Sequence, residues 1–251
     1  MSNVAFIMAR LSSKRLPAKN LMEIVDKPMI QHLVNRIKKA KSIDKVVIAT
    51  SDHPSDHALE EFAQKEGIDI WRGSLDNMME RLLGAVEHFG ATNIIEILGD
   101  NPLVHSDLID DTFEFYKNGN YDCATTLTNE FPQVDTALKR FAIGIRVQIY
   151  KASVARDYKQ YPDYFDDSKH FSSYMFDYSQ KYKAGYFEAT GKWDRLCLPE
   201  LNFAVNYRKN FNFVERVFEN NYRRDDNFTL FDVVKDMEAD PKMKNLLGAE
   251  A

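Results

Sequence analysis

The feature that most constrains the fold is an alternation of short apolar runs with amphipathic stretches over about the first 125 residues. A short, continuously apolar run indicates a buried strand, and apolar residues at helical spacing indicate a helix packed on one face. The predicted strands are residues 4–8, 45–50, 68–71, 93–98 and 121–126. The predicted helices are residues 28–41, 56–65, 76–88 and 106–117.

Strands that alternate with helices predict an α/β fold with a doubly wound, mostly parallel, Rossmann-like sheet. In such sheets ligands bind beyond the carboxyl ends of the strands, near the point where the strand order reverses. The loops that follow Met8, Thr50 and Leu98 are therefore where we expect the functional residues.

The second half of the chain is less regular, and we interpret it as a small cap or insertion built on the same domain. Its predicted strands are residues 141–150 and a run ending at 203–206, and its predicted helices are residues 167–178, 211–219 and 230–238. We expect one domain over residues 1–251, divided into a nucleotide-binding core (1–126), an insertion on the acceptor side (127–200) and a closing strand with helices (201–251).

Charge and composition exclude several classes of function. The net charge of −5 argues against broad attraction to nucleic acid or to an anionic membrane surface. No apolar run approaches the roughly 20 residues of a membrane span, and neither Cys123 nor Cys197 belongs to a CxxC pair. We expect a soluble, cytoplasmic protein with reduced thiols.

The loop after the first strand, residues 9–19, is rich in cations. Arg10, Lys14, Arg15 and Lys19 surround two hydroxyls, and Pro17 stiffens the segment. Guanidinium, ammonium, hydroxyl and backbone amide groups are the ones that hold phosphate oxygens, so the loop predicts a triphosphate site. The glycines of a Walker A loop and of a GxGxxG dinucleotide loop are both absent from it.

A carboxylate follows the fourth predicted strand. Asp100 lies in the segment Leu-Gly-Asp-Asn-Pro-Leu (98–103), at a strand end that should face the basic loop. Because Mg²⁺ binds one or two carboxylates together with phosphate oxygens and water, Asp100 is a candidate magnesium ligand. The alternative, that Asp100 caps the next helix, is weaker because Ser106 and Asp107 are better placed for capping.

At this point a resemblance to a known family appears. ARLSSKRLPAKNL (9–21) and ILGDNPLVHSDLID (97–110) are similar to segments of the CMP-sugar synthetases, which activate Kdo and sialic-type acids. The spore-coat-polysaccharide type of cytidylyltransferase is more similar still, and weaker matches continue in order to residue 218. The resemblance implies a nucleotide-diphospho-sugar transferase fold, CTP as the donor, Mg²⁺ as the cofactor and a homodimer.

The resemblance also implies roles for individual residues. The triphosphate would be positioned by Arg10, Ser13, Arg15 and Lys19, of which Arg10, Arg15 and Lys19 act with Asp100 as catalytic residues. Ser51 would contact the base or ribose, and Ser74 would line the base pocket, although either serine could equally cap a helix. The acceptor side would include Arg146, Gln148, His170 and Tyr174.

Two positions depart from the family pattern. Asn206 stands where relatives carry a second metal-binding Asp, and Gln148 stands where they tend to carry Glu. An amide oxygen still binds Mg²⁺, so Asp100 with Asn206 remains a workable pair. The loss of two carboxylates suits an acceptor that is already anionic, because it is no longer repelled. A sugar acid and a phosphorylated acceptor both remain open.

The predicted reaction is in-line attack of the acceptor on the α-phosphorus of CTP, with release of pyrophosphate, for surface glycan or polysaccharide precursor synthesis. Two other functions remain possible. A glycosyltransferase of related shape would use a nucleotide sugar, but it normally carries an Asp-x-Asp motif that is not found at Asp100. A non-catalytic nucleotide-binding protein would bind CTP without releasing pyrophosphate.

Overall fold

The computed structural model of the protein describes residues 2–161, 171–178 and 180–247. In these residues seven strands form one sheet in the order β5-β4-β1-β6-β8-β7-β9, and β2 and β3 form a separate hairpin. The strands are β1 (Asn3–Met8), β2 (Glu23–Ile24), β3 (Lys27–Pro28), β4 (Lys45–Ser51), β5 (Asp69–Gly73), β6 (Asn93–Leu98), β7 (Cys123–Thr126), β8 (Gln148–Lys151) and β9 (Ala184–Phe187).

The central strand of this sheet is β1, which pairs in parallel with β4 on one side and with β6 on the other. β4 also pairs in parallel with β5, whereas β8 runs antiparallel to both β6 and β7. The sheet is therefore mostly parallel, and its strand order reverses at β1. The prediction of an α/β, Rossmann-like sheet is confirmed, and it directs attention to the carboxyl ends of β1 and β6.

Helices cover both faces of the sheet, because alternate residues of each central strand are apolar on both sides. Val4, Phe6 and Met8 of β1 pack against one group of helices, and Ala5 and Ile7 pack against the other. The helices are α1 (Met29–Ile37), α2 (His57–Lys65), α3 (Met78–Phe89), α4 (Ser106–Asn118), α5 (Ala152–Arg156), α6 (Tyr174–Asp177), α7 (Arg208–Asn221) and α8 (Leu230–Ala239).

The strand predicted at residues 141–150 is wrong over most of its length, since β8 begins only at Gln148. Phe141 and Ile143 make isolated bridges instead, to Cys197 and Asn202. The reason is Gly144, which has a positive φ of 92° and lies so close to the backbone of Ala204 that a Cβ would be 2.2 Å from its nitrogen. The chain therefore turns at this glycine and cannot continue as a strand.

The structure also differs from the sequence predictions at two other places in the second half of the chain. The strand predicted to end at 203–206 is absent, and its backbone follows the segment after β6, with Val205 donating to the carbonyl of Asp100 at 2.9 Å. Of the helix predicted at residues 167–178, the structure describes only α6, since residues 162–170 lie outside the described residues. The strand β9 and the helix α5 were not predicted.

One buried cation fixes the segment after β6 in place. Arg36 of α1 is fully buried, and its guanidinium donates to the carbonyls of Val104 at 3.0 Å, Phe228 at 3.1 Å and Leu103 at 3.3 Å. Burial lowers the pKa of Arg36 to about 10. These contacts join α1, the far end of the segment that begins with Asp100, and Phe228, which lies two residues before α8. The Asp100 end of the segment is held by the amide of Val205.

Candidate active site

The leucines of the basic loop after β1 are buried, while three of its four cations are exposed to solvent. Leu11 and Leu16 are buried in the core, whereas Arg10 and Arg15 are exposed. Ala18 adopts a left-handed conformation with φ of 55°, and its amide donates to the carbonyl of Leu11 at 3.0 Å. The loop thus closes on itself, and its side-chain donors lie near the carboxyl ends of β1 and β6.

A cleft of about 690 Å³ opens above these strand ends. It brings together six of the predicted site residues with Ser12 and Lys14 of the basic loop, and three polar residues from outside the predicted loop and site also line it. The predicted residues are Arg10, Ser13, Arg15, Lys19, Asp100 and Asn206. The additional polar residues are Asn20, Asp76 and Arg81.

Lys19 and Asp100 form the floor of the cleft. The Lys19 ammonium lies 3.0 Å from Oδ2 of Asp100 and donates to the carbonyl of Val205 at 2.6 Å, and Lys19 is only 7% exposed. Gly99 allows this approach, because a Cβ there would lie 2.9 Å from the Cβ of Ala9 and 3.2 Å from the carbonyl oxygen of Met8. The basic loop and the Asp100 segment therefore meet without space for a side chain between them.

Arg15 crosses the mouth of the cleft to the late segment. Its Nη2 donates to Oδ1 of Asn206 at 2.8 Å, and its guanidinium lies 5.3 Å from the ring centre of Tyr207. Asn206 is thus placed beside the basic loop, as the family pattern implies. In this structure its amide oxygen accepts a hydrogen bond from Arg15.

Arg81 on α3 is a cation of the cleft that the sequence analysis missed. It is 2% exposed, its Nε lacks a hydrogen-bond partner, and its Nη2 makes a long contact of 3.4 Å to the carbonyl of Leu75. Burial lowers its pKa, and the nearby charge of Arg10 lowers it further, against the opposite effect of Asp56 and Asp52. An incompletely bonded guanidinium beside a second one is arranged to receive an anion.

Ser51 and Ser74 do not line the cleft. Ser51 is fully buried, and its hydroxyl donates to Oδ2 of Asp56. The hydroxyl of Ser74 accepts from the amide of Asn77 at 3.0 Å, and Asn77 itself caps α3 by accepting from the amide of Glu80. In this structure both hydroxyls therefore make local backbone-supporting contacts.

Three of the four residues predicted on the acceptor side, Arg146, Gln148 and Tyr174, are also buried. Arg146 lies 3.2 Å from a carboxylate oxygen of Glu130 and 3.7 Å from one of Glu96. Gln148 donates to the hydroxyl of Ser172 at 2.7 Å. The hydroxyl of Tyr174 donates to backbone carbonyls at the end of α5, at 2.8 and 3.2 Å. None of the three lines the cleft, and His170 lies outside the described residues.

Glu96 at the centre of this buried group was not predicted from the sequence. It is paired with Gln148 across β6 and β8, and it accepts a hydrogen bond of 2.7 Å from the hydroxyl of Tyr150. Burial raises the pKa of Glu96, and Arg146 acts in the opposite direction. A charged residue inside an apolar strand pattern was the available signal for a polar cluster at this place.

The donor set for a metal is small. In the described part of the chain no three His, Cys, Asp or Glu side chains form a group that could hold a metal ion. Oδ1 of Asp100 is buried and has no hydrogen-bond partner, although its other oxygen is paired with Lys19. One unpartnered carboxylate oxygen beside a phosphate-binding cleft fits a Mg²⁺ ion whose remaining ligands come from the nucleotide and water.

The fold and the cleft define the class of the protein. A mostly parallel sheet with a cation-lined cleft at its switch point, and with Asp100 opposite the basic loop, is the arrangement of an α/β nucleotidyltransferase. A family model described as cytidylyltransferase matches residues 4–219. The chain belongs to the cytidylyltransferase family, whose members are CTP-dependent nucleotidyltransferases. The resemblance inferred from the sequence motifs is confirmed.

Curated relatives agree with this assignment. The spore coat polysaccharide biosynthesis protein SpsF of Bacillus subtilis is 25% identical over 232 residues, which cover 90% of each chain. The 3-deoxy-manno-octulosonate cytidylyltransferase of Aeromonas salmonicida is 38% identical over 109 residues, or 41% of this chain and 42% of that one. An uncharacterized protein of Methanocaldococcus jannaschii is 33% identical over 126 residues. The chain spans about half the length of these last two relatives.

Solved structures share the fold. A cytidylyltransferase from Leptospira borgpetersenii superposes over 100% of both chains, with a TM-score of 0.84 at 20% identity. A CMP:2-keto-3-deoxy-manno-octonic acid synthetase complexed with CTP covers 88% of this chain and 99% of its own, with a TM-score of 0.61 at 18% identity. No helix in the described residues is both long and apolar enough to cross a membrane.

Proposed function

We propose that this protein transfers CMP from CTP to a small anionic acceptor, a sugar acid or a phosphorylated sugar or polyol, in the synthesis of a surface polysaccharide precursor. The observation that carries the proposal is the cleft that joins the basic loop to Asp100. A triphosphate carries about four negative charges, and the cleft offers cationic donors in an acidic protein of net charge −5. The family and its polysaccharide-related member support the same donor and setting.

The polar residues of the cleft divide the binding of the nucleotide among them in this proposal. Arg10, Ser13 and Arg15 bind the β- and γ-phosphates, and Arg81 provides a further buried donor for the nucleotide. Lys19 is already held by Asp100 and the carbonyl of Val205. It therefore presents its charge without having to lose side-chain freedom on binding, which favours pre-organised stabilisation of the transition state.

Magnesium would be held by the unpartnered oxygen of Asp100, with the amide oxygen of Asn206 as a second protein ligand. When bound, the ion neutralises charge on the phosphates. Because Asn206 accepts from Arg15 in this structure, its use as a ligand requires Arg15 to move from the amide oxygen to the nucleotide. Nucleotide binding and metal binding would then support each other, since the triphosphate attracts Arg15 away from Asn206.

The chemical step is a displacement at the α-phosphorus. An oxygen of the acceptor forms a bond to this phosphorus, the bond to the bridging oxygen breaks, and pyrophosphate leaves with its electron pair. A carboxylate or phosphate oxygen attacks without losing a proton, whereas a sugar hydroxyl must lose one. With Asn206 and Gln148 in place of carboxylates, the described residues provide few bases for that proton, which favours an acceptor that attacks through an anionic oxygen.

Arg146 is the cation proposed to recognise the acceptor's negative charge. It is buried between Glu96 and Glu130, so its charge is partly offset in this structure. An acceptor that binds there must replace one carboxylate, and the partly exposed Glu130 is the easier one to displace than the buried Glu96. Gln148, His170 and Tyr174 remain proposed members of the same acceptor region.

The experiment is a pyrophosphate-release assay with CTP, Mg²⁺ and separate panels of sugar acids and phosphorylated acceptors. We expect release with one panel and loss of at least about a hundredfold in Asp100→Ala. Rates should be unchanged in the control Lys192→Ala, whose side chain pairs with Asp111 in a different surface cleft. Binding of CTP without release in either panel would indicate a nucleotide-binding protein that is not an enzyme. Equal or faster release with UTP or GTP would refute the assignment of CTP.

A further inference from the structure

One buried carboxylate joins the basic loop after β1 to the carboxyl end of β4, where the nucleoside is expected, and has no role in the reaction proposed above. Asp56 lies immediately before α2 and is fully buried. Its Oδ1 accepts from the backbone amide of Leu11 at 2.7 Å, and its Oδ2 accepts from the amide of Ser51 at 3.3 Å and from the Ser51 hydroxyl. One side chain therefore binds both the basic loop after β1 and the carboxyl end of β4.

These contacts take Asp56 away from the role that its position predicts. An Asp before a helix normally accepts from an amide in the first turn of that helix. Asp56 makes no such bond to α2, because both of its oxygens are used by the two neighbouring strand ends. The helix loses a side-chain cap, so the contacts to Leu11 and Ser51 are not a by-product of capping.

The charge of Asp56 is also unfavourable for its surroundings. It lies next to a loop that binds a triphosphate, and a carboxylate there repels the phosphates unless its charge is absorbed by donors. The backbone amides and the Ser51 hydroxyl stabilise this charge by donating hydrogen bonds to it. The charge of Asp56 also acts on Arg81, where it opposes the lowering of the pKa by burial. A neutral residue would avoid this repulsion but could not accept from both strand ends with two equivalent oxygens.

We propose that Asp56 is a positioning residue that fixes the basic loop relative to the end of β4, and so sets the spacing between the triphosphate site and the nucleoside site. This inference rests on the proposed function. It changes the expected role of Ser51, whose hydroxyl acts through Asp56. A ligand that occupies both sites at once should depend on Asp56 more strongly than a ligand that occupies one.

The chain contains a matched control. Asp110 on α4 also accepts from two backbone amides, those of Lys41 at 3.0 Å and Ser42 at 2.8 Å, and from the Ser42 hydroxyl at 2.6 Å. These contacts have the same chemistry as those of Asp56, but Asp110 lines a different surface cleft. Loss of stability that is common to Asp56→Ala and Asp110→Ala therefore measures the structural part of such a contact.

The test compares binding of CTP, inorganic tripolyphosphate and cytidine, each with Mg²⁺, by calorimetry in Asp56→Ala, Asp56→Asn, Ser51→Ala and Asp110→Ala. We expect Asp56→Ala to weaken CTP binding about tenfold or more, because the basic loop and the end of β4 are no longer pre-organised at a fixed spacing. The binding of tripolyphosphate and the binding of cytidine should each weaken by about threefold or less. Asp56→Asn and Ser51→Ala, which keep part of the bridge, should lie between Asp56→Ala and the wild type.

Two further measurements separate positioning from general stability. KM for CTP should rise in Asp56→Ala while kcat changes less, and Asp110→Ala should leave KM within about twofold. Amide exchange of the peptide that contains Leu11 should accelerate in Asp56→Ala alone. Equal losses in the Asp56 and Asp110 variants, or equal weakening of all three ligands, would overturn the inference. Absence of pyrophosphate release from the wild type would count against the proposed function only, because exchange and CTP binding still test Asp56.

Discussion

Replacement of Arg81 by Met should make the protein more stable and a weaker binder of nucleotide. Arg81 is 2% exposed, its Nε is unpartnered and its contact to Leu75 is long. A buried donor without a partner costs about 1–3 kcal/mol. Met fills a similar volume without charge, and it also removes the repulsion from Arg10. We expect unfolding free energy to rise by about 1–3 kcal/mol, or about 2–4 °C in Tm per kcal/mol for a chain of this size.

The same substitution should weaken the binding of CTP. A charge-assisted hydrogen bond contributes about 1.5–3 kcal/mol, so its loss should raise Kd by about 10–150-fold. Thermal denaturation without ligand gives the first quantity, and calorimetry with CTP and Mg²⁺ gives the second. The two effects have opposite signs only if the guanidinium is incompletely bonded in the free protein and engaged in the complex.

Arg36→Met is the matched comparison, because Arg36 is equally buried but donates to three carbonyls. Its loss leaves buried acceptors unpaired and should lower the unfolding free energy by about 3 kcal/mol or more. The refuting result is a clear one. If Arg81→Met lowers Tm as Arg36→Met does, and binds CTP like the wild type, then Arg81 is a structural residue and the reasoning from its unpartnered Nε fails.

Three other predictions concern the metal, the pH dependence and the backbone. Asn206→Asp adds a second carboxylate beside Asp100 and should lower the Mg²⁺ concentration for half-maximal pyrophosphate release by about threefold or more; an unchanged titration would argue against Asn206 as a ligand. His105 caps α4 through Nδ1, and burial lowers its pKa, so its stabilisation is present above the unfolded value near 6.5 and is lost as pH falls through the folded pKa. The fall in denaturation midpoint from pH 7.5 to 5 should shrink in His105→Asn, and an identical fall would exclude this source. Gly144→Ala, whose Cβ would strike the Ala204 backbone, should destabilise by about 2 kcal/mol or more, against about 1 kcal/mol for Gly90→Ala in open space; equal losses in thermal denaturation would contradict the close-approach argument.

The first half of the fold was predictable because its strands and helices have clear local patterns of apolar residues. A buried strand such as β6 needs apolar residues throughout, and α1 needs them at helical spacing, so short windows of sequence suffice. The position of Asp100 opposite the basic loop followed from the parallel sheet alone. The second half depends on long-range contacts: residues 141–150 have a strand pattern, but the approach of Gly144 to Ala204 decides their conformation.

The missed and displaced site residues have a similar explanation. Arg81 lies on α3 among apolar residues and resembles an ordinary polar position of an amphipathic helix. Its burial depends on the packing of α3 against Gly73 of β5, which no local pattern shows. Asp56 has the sequence pattern of a cap, yet tertiary contacts redirect both of its oxygens. Sequence propensity reflects how a residue interacts with its neighbours in the chain. The contacts of Arg81 and Asp56 are instead made with residues from other elements.

The contact between Lys19 and the carbonyl of Val205 has a consequence for folding during synthesis. The basic loop emerges early in synthesis, whereas the partner that orients its lysine and supports the Asp100 segment is made about 185 residues later. Chains are synthesised from the N-terminus and fold progressively. A nascent or prematurely terminated chain could pair Lys19 with Asp100, but it would lack the second contact of Lys19, to the carbonyl of Val205. The complete floor of the cleft therefore cannot form until Val205 has been synthesised.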